Sequence, residues 1–427
     1  MDKAILVHLA TNKKEKDEAH DSMAELAGLA SANGAKVVGN VYQNRPRPSV
    51  RSFLGAGKVD EVRELTKSLG ADLVIFDHDL TPIQQRSLEK ETGARVIDRT
   101  QLILEIFGKR ARTNEGKLQV ELAQLSYMLP RLVGKGIAMS RLGGTSAGAA
   151  VRARGPGEKK LEEERRRIND RIAKIRKDIL AVQKRRAGQR DSRRKSPVPT
   201  VSLVGYTSAG KSTLFNSLTR ERRYTSPHLF ATLDPLLRRV SYADGLHFFL
   251  SDTVGFIRKL PTELVTSFQA TLDEVRESDA ILHLIDATSP RSRDQASAVD
   301  GVLARIGVTD IPVFRVYNKI DLLGQAERAD LLERNKAAEA RIFYISAKTG
   351  EGTADLLERL REILFRSYRP FVFRIPAERE DLVRSLPQRS LVLKRREHDG
   401  TCEFEVMADP AVVASYLPYA RQGEEPW

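Results

Sequence analysis

The feature that most constrains the fold lies near the middle of the chain. There the short apolar run Thr200 to Val204 leads directly into Gly205-Tyr206-Thr207-Ser208-Ala209-Gly210-Lys211-Ser212. The pattern G-x-x-x-x-G-K-S, between a strand and a helix, is a phosphate-binding loop. Its glycines let successive backbone N–H groups turn inward around phosphate oxygens, and a helix starting near Lys211 adds its positive end. The expected frame is a mostly parallel sheet with helices on both faces. Residues Gly205 to Thr213 are expected to hold the nucleotide. Lys211 is placed to reach the β and γ phosphates, and Ser212 to offer a hydroxyl to Mg²⁺. A chance glycine loop would predict nothing about the rest of the chain, whereas the motifs that follow stand in the order such a site requires.

A second apolar run, Leu246 to Leu250, is followed by Asp252-Thr253-Val254-Gly255. An aspartate at a strand end can hold the metal, usually through its water, while the N–H of Gly255 senses the γ-phosphate. Between the two motifs, Thr232 in Phe230-Ala231-Thr232-Leu233-Asp234-Pro235 is positioned to close on Mg²⁺, with Thr225 as the competing assignment. Ser212, Thr232 and Asp252 thus form the expected metal set, and Lys211, Thr232 and Gly255 the expected catalytic set. The run Val313 to Tyr317 ends in Asn318-Lys319-Ile320-Asp321. A carboxylate at Asp321 can accept from the N1–H and 2-amino donors that guanine has and adenine lacks. Ser346-Ala347-Lys348, after Ile342 to Ile345, offers a backbone donor toward guanine O6 and a lysine stem over the ring. The nucleotide is therefore GTP. Ras-like enzymes place a glutamine directly after the second-motif glycine to orient water; here that place holds Phe256. A phenyl ring cannot polarise water, so slow intrinsic turnover is expected, with the geometry completed by a partner, a switch rearrangement or a cation. Phe256 simply packing the switch is compatible with this.

At 427 residues the chain has room for several domains. The expected divisions are an N-terminal α/β domain (1–111), a basic helical hairpin with a glycine-rich loop (112–196), a GTPase domain (197–366) and a small C-terminal α/β domain (367–427). No apolar run approaches the roughly 20 residues of a bilayer span, so no stable membrane insertion is expected. The start, with Glu15, Asp17 and Glu18, suits neither a signal nor a transit peptide, and a cytoplasmic address follows. The single cysteine, Cys402, excludes an internal disulfide and reads as a small residue on a strand.

Charge is unevenly spread. Residues 109–196 hold 25 Lys or Arg against 9 Asp or Glu, a surplus larger than the whole chain's +14. So concentrated a field attracts polyphosphate, because each neutralised phosphate releases counterions. It would also draw the protein peripherally to an acidic membrane. Most basic runs are solvated helix faces; here acids are scarce around the glycines and near the segment's end, which favours nucleic acid. Leu118, Leu122, Leu125 and Leu129 fall on one helical face, and Ile168, Ile172, Ile175, Ile179 and Val182 repeat with coiled-coil spacing. Between the two helices, Arg131, Lys135, Arg141, Arg152 and Arg154 punctuate a glycine-rich stretch and are the expected RNA contacts. Ahead of the hairpin, Ile5 to His8, Lys36 to Tyr42, Ala71 to Phe76 and Arg95 to Ile97 read as strands of a largely parallel sheet. Gly55-Ala56-Gly57-Lys58 lacks the rest of a phosphate loop and reads as a turn opening a helix.

The guanine motifs, Phe256 and Arg154-Gly155-Pro156-Gly157-Glu158 ahead of Arg165-Arg166-Arg167-Ile168 together resemble the HflX family of translational GTPases. So do Phe53-Leu54-Gly55-Ala56-Gly57-Lys58, Arg95-Val96-Ile97-Asp98-Arg99-Thr100, and the run from Arg110-Ala111-Arg112-Thr113 to Leu125. The resemblance implies a ribosome-associated GTPase whose GTP form binds the large subunit and its ribosomal RNA and splits stalled or idle ribosomes. It implies that the hairpin loop reaches toward the peptidyl-transferase centre, that ribosomes stimulate hydrolysis, and that some members use ATP through the N-terminal domain. Two departures stand out. Lys159 and Lys160 replace the family's usual Thr and Gln, with extra residues at Thr145 to Ala153. Ser208 stands where many relatives carry an asparagine that helps hold potassium, which puts potassium stimulation in doubt. A monomer is expected. The alternative function is a GTP-switched RNA-binding factor for large-subunit assembly or hibernation. A signalling G protein would have no use for so basic a hairpin.

Overall fold

The structure is a computed structural model that describes residues 1–140, 156–194, 197–219, 230, 236–253, 255–258, 274–335 and 341–421. It divides into two compact units. The first holds Met1–Val182 together with Phe230, and the second holds the other described residues from Gln183 onward.

In the first unit strands and helices alternate: β1 (Lys3–Ala10), α1 (Lys13–Asn33), β2 (Lys36–Asn44), α2 (Ala56–Leu69), β3 (Leu73–Phe76), α3 (Pro82–Thr92), β4 (Arg95–Asp98) and α4 (Arg99–Arg110). The strands form a parallel sheet in the order β2-β1-β3-β4, with the four expected strands in place. β1 is buried from Ala4 to Ala10, because helices cover both faces; this is why it reads as a continuous apolar run. Gly55 is the N-cap of α2, so the Gly-Ala-Gly-Lys run is the helix-opening turn expected. Pro82 at the first turn of α3 and a reciprocal Thr81–Gln84 capping box fix that helix's start.

The run Arg95 to Thr100 owes its composition to buried polar contacts. Asp98 caps α4 through Gln101 N (2.8 Å) and accepts from Tyr127 Oη (2.7 Å) and Leu80 N (3.1 Å). Arg99, 2 % exposed, pairs with Asp77 at 2.8 Å and with Glu25. Burial pushes the Asp98 carboxyl up despite these donors and the nearby Arg131.

Two long helices follow, α5 (Asn114–Ser140) and α6 (Pro156–Arg194). In α6 the expected seam is present, with Ile172, Ile175 and Ile179 buried. In α5 the expected leucine face is only half-buried. The deeply buried stripe is instead Glu115, Gln119, Val120, Ala123 and Tyr127, and α5 packs on α3 and α4. The reason is that α5 packs on α3 and α4 as well as being tied to α6, where Glu121 accepts a bidentate bond from Arg171 (2.7 and 2.8 Å). Among the described residues no helix is long and apolar enough to cross a membrane.

The second unit contains β5 (Thr200–Gly205), α7 (Lys211–Thr219), β6 (Leu236–Ser241), β7 (His247–Asp252), β8 (Ala280–Asp286), α8 (Ser292–Arg305), β9 (Val313–Asn318), α9 (Gln325–Asn335), β10 (Ile342–Ile345) and α10 (Thr353–Leu364). The sheet order is β10-β9-β8-β5-β7-β6, parallel except for the edge strand β6. Its core gathers Val201, Leu203, Leu250, Leu282, Phe314 and Val316 with Leu214, Phe215, Leu356 and Leu360 from the helices. A smaller antiparallel sheet of β11 (Arg369–Pro376), β12 (Leu391–His398) and β13 (Thr401–Ala408), with α11 (Glu380–Arg389), buries Phe373, Phe404 and Cys402. Cys402 is thus the buried strand residue expected.

Candidate guanine-nucleotide site

Every described element of the expected site lies at the carboxyl end of a strand in the six-stranded sheet. β5 ends in Gly205, whose φ of +151° and position against β8 admit no side chain; a Cβ there would lie 2.4 Å from Leu284 O. Gly210, at φ +97°, passes so close to Asn318 that a Cβ would lie 2.1 Å from its Nδ2. Ser208 adopts φ +62°. A non-glycine residue is uncommon in this left-handed region and asparagine is enriched there.

Lys211 opens α7 and is 7 % exposed, and its Nζ donates to Gly205 O (3.0 Å) and Tyr206 O (2.8 Å). Burial pushes its ammonium down to about 8, partly offset by Asp252. A triphosphate beside Nζ would raise that value again. A group whose pKa rises on binding contributes fully below its free value and loses that contribution as pH climbs past it. GTP affinity should thus fall between about pH 7 and about pH 9, approaching a tenfold loss per pH unit above about 8. Titration with a fluorescent GTP analogue checks this. Lys211→Ala should bind more weakly with a flat profile, and a flat wild-type profile would overturn the lowered pKa of Lys211.

Ser212 Oγ donates to Asp252 Oδ2 at 3.2 Å. Both are hard oxygen donors, and Asp252 is 1 % exposed, so the pair fits Mg²⁺, which would be held there with its own waters and supply charge neutralisation on the phosphates. Gly255 lies against the phosphate loop: a Cβ there would meet Thr207 Cγ2 at 2.9 Å and Lys211 Nζ at 3.0 Å. Phe256 forms a parallel bridge with Tyr206, through Thr207 N to Phe256 O (2.7 Å) and Phe256 N to Gly205 O (3.1 Å). Tyr206 Oη accepts from Arg258 N at 2.8 Å. The residue at the glutamine position is thus a buried part of the loop's support. Thr232 and its competitor Thr225 lie outside the described residues.

On the base side, Asn318 braces two loops, its Nδ2 donating to Ala209 O (2.8 Å) and its Oδ1 accepting from Ala347 N (2.9 Å). Lys319, at φ +69°, reaches Asp286 Oδ2 at 2.5 Å. Asp321 follows in a short 3-10 turn, Ser346 is buried and Lys348 is exposed. The sequence reading passed over Asp286 and Tyr206 Oη; a carboxylate ending β8 beside the nucleotide strands was the available signal for the first.

The expected RNA contacts fare differently. Arg131 is half-buried: its guanidinium lies 3.4 Å from the Tyr127 ring centre and donates to Leu80 O (2.9 Å) and Asp98 Oδ2 (3.0 Å). Its charge is paired with the buried Asp98 inside the first unit. The side chain of Lys135, and Arg141, Arg152 and Arg154 altogether, lie outside the described residues.

Comparison with known proteins agrees with this geometry. Residues 20–108 match the family described as GTP-binding GTPase N-terminal, and 110–193 the GTP-binding GTPase Middle Region. Residues 200–319 match the 50S ribosome-binding GTPase family. The GTPase HflX of Escherichia coli (strain K12) is 43% identical over 407 residues, covering 95% of this chain and 93% of that one. The GTPase HflX of Caldanaerobacter subterraneus subsp. tengcongensis is 42% identical over 393 residues, covering 92% and 88%. A solved SsGBP–GDP complex is 25% identical, with a TM-score of 0.49, covering 86% of this chain and 99% of that one. With its phosphate loop and base-recognition strands in place and this extent of similarity, the chain belongs to the HflX family of ribosome-associated GTPases and is a GTP-hydrolysing enzyme.

Proposed function

We propose that this enzyme uses Mg²⁺ and GTP to bind the large ribosomal subunit and split or recycle stalled or idle ribosomes, hydrolysis resetting it for release. The observation that carries this reading is the union, in one chain, of a guanine-nucleotide site with a hairpin segment whose 25 basic residues outnumber its 9 acidic ones. A surface of that charge finds its natural partner in ribosomal RNA phosphates, and binding should weaken steeply with salt. The GTPase domain's match to a family described as 50S ribosome-binding supports the choice of subunit. With Phe256 buried where other GTPases orient water, completion of the catalytic geometry falls to the ribosome.

The test is GTP turnover with and without purified large subunits, in parallel for a protein lacking residues 143–157. Turnover should rise by more than about tenfold, in the manner of partner-completed GTPases, and the deletion should remove the rise while leaving the basal rate unchanged. Light scattering of intact ribosomes with GTP then tests splitting, since a splitting factor must favour the dissociated subunit. Unchanged scattering at saturating protein would leave a large-subunit binding factor without splitting activity. Unchanged turnover would remove the ribosome as the stimulating partner.

A further inference from the structure

The N-terminal sheet has a second place where polar chemistry converges. β1 lies between β2 and β3, so the crossovers leave it in opposite directions. In open parallel sheets the carboxyl ends of such a strand pair are where ligands bind. His8 stands near that end of β1, and Asp77 and His78 directly follow β3. One ligand atom from each of the three lies within 4.8 Å of the others; among the described residues this is the one such cluster. His8 Nδ1 is 3.0 Å from Asp77 Oδ2, and the His8 and His78 ring centres are 5.0 Å apart.

His8 is 2 % exposed, and its Nε2 has no hydrogen-bond partner. An unsatisfied buried polar group of this kind is destabilising. If the ring proton sits on Nδ1 and is donated to Asp77, Nε2 presents an unused lone pair. If it sits on Nε2, the Nδ1 lone pair faces a carboxylate. A cation relieves either arrangement, and the first is the carboxylate–histidine–metal geometry common around bound metals.

The surroundings favour a cation as well. Ser22 Oγ (2.6 Å) and Arg99 (2.8 Å) hold Asp77 in place, and Arg99 is shared with Glu25. Glu15, anchored on Thr11 at the end of β1, lies within electrostatic reach of His78.

We propose that His8 and His78, beside Asp77, bind one divalent transition-metal ion of the zinc class. Two imidazole nitrogens, one of them backed by a carboxylate, suit zinc, cobalt or nickel and not Mg²⁺, which prefers oxygen donors. The ion would tie β1 to the chain leaving β3 and so stiffen the sheet on which α4 rests.

The test uses the full chain, freed of metal with a chelator and titrated with Co²⁺ in millimolar Mg²⁺, following visible d–d absorption. One equivalent should bind, be displaced by Zn²⁺, and raise the melting temperature. His78→Gln, at a half-buried position, should weaken Co²⁺ binding by at least about tenfold while fluorescent GDP binds as in wild type. His8→Gln should do the same where it folds, and His398→Ala, at an exposed histidine elsewhere, should change nothing. Absence of stoichiometric Co²⁺ binding, or binding that survives His78→Gln, overturns the proposal.

Discussion

Gly210→Ala should lose GTP and GDP affinity by about a hundredfold or more. The residue sits at φ +97°, where an L side chain costs about 1–3 kcal/mol in backbone strain alone. The added Cβ would also fall 2.1 Å from Asn318 Nδ2. Asn318 cannot retreat without releasing Ala209 O and Ala347 N, the two contacts that set the phosphate loop against the base-side loop. Each 1.4 kcal/mol is roughly tenfold in affinity, so strain and displacement together exceed a hundredfold. Gly34→Ala is the matched control. It has φ +90° and open space around its Cβ, so it should cost stability but leave nucleotide binding intact. Fluorescent-nucleotide titration of both proteins, with melting curves, separates the two effects, and near-normal affinity in Gly210→Ala would refute the packing argument.

The second large effect is a change of base. Asp321→Asn should weaken GTP by about ten- to hundredfold, because the amide cannot accept from both guanine donors and leaves one pairing unmade. Xanthosine triphosphate has a carbonyl in place of the 2-amino group, so the same amide can donate there and accept at N1, and its affinity should rise. Competition between the two nucleotides reads the ratio directly. Loss of GTP with no gain of xanthosine triphosphate would mean that Asp321 supports the loop and does not touch the base.

Much of this was legible in the chain because it is local. The parallel strands appear where apolar runs predicted them, since a strand covered on both faces has no polar alternation to hide it. The internal pairing of Arg131 was not legible, because its position among glycines and arginines suggests an exposed tip. Its partners Asp98 and Leu80 lie 33 and 51 residues earlier in the sequence. The leucine face of α5 was read as the main seam on the assumption that the helix had one neighbour, whereas packing on α3 and α4 moves the buried stripe to Gln119, Ala123 and Tyr127.

The sequence by itself determined the identity of the nucleotide and the order of its loops. Each motif works through backbone geometry and side chains within a few residues, and that information is written contiguously. Only the tertiary structure decided how those loops are braced: Asn318 spans 109 residues to Ala209, and Phe256 pairs with Tyr206 beneath the phosphate loop. It likewise brought His8 to Asp77 across 69 residues. Such pairings depend on which strands become neighbours, and burial then fixes their strength by removing the water that would otherwise satisfy each group alone.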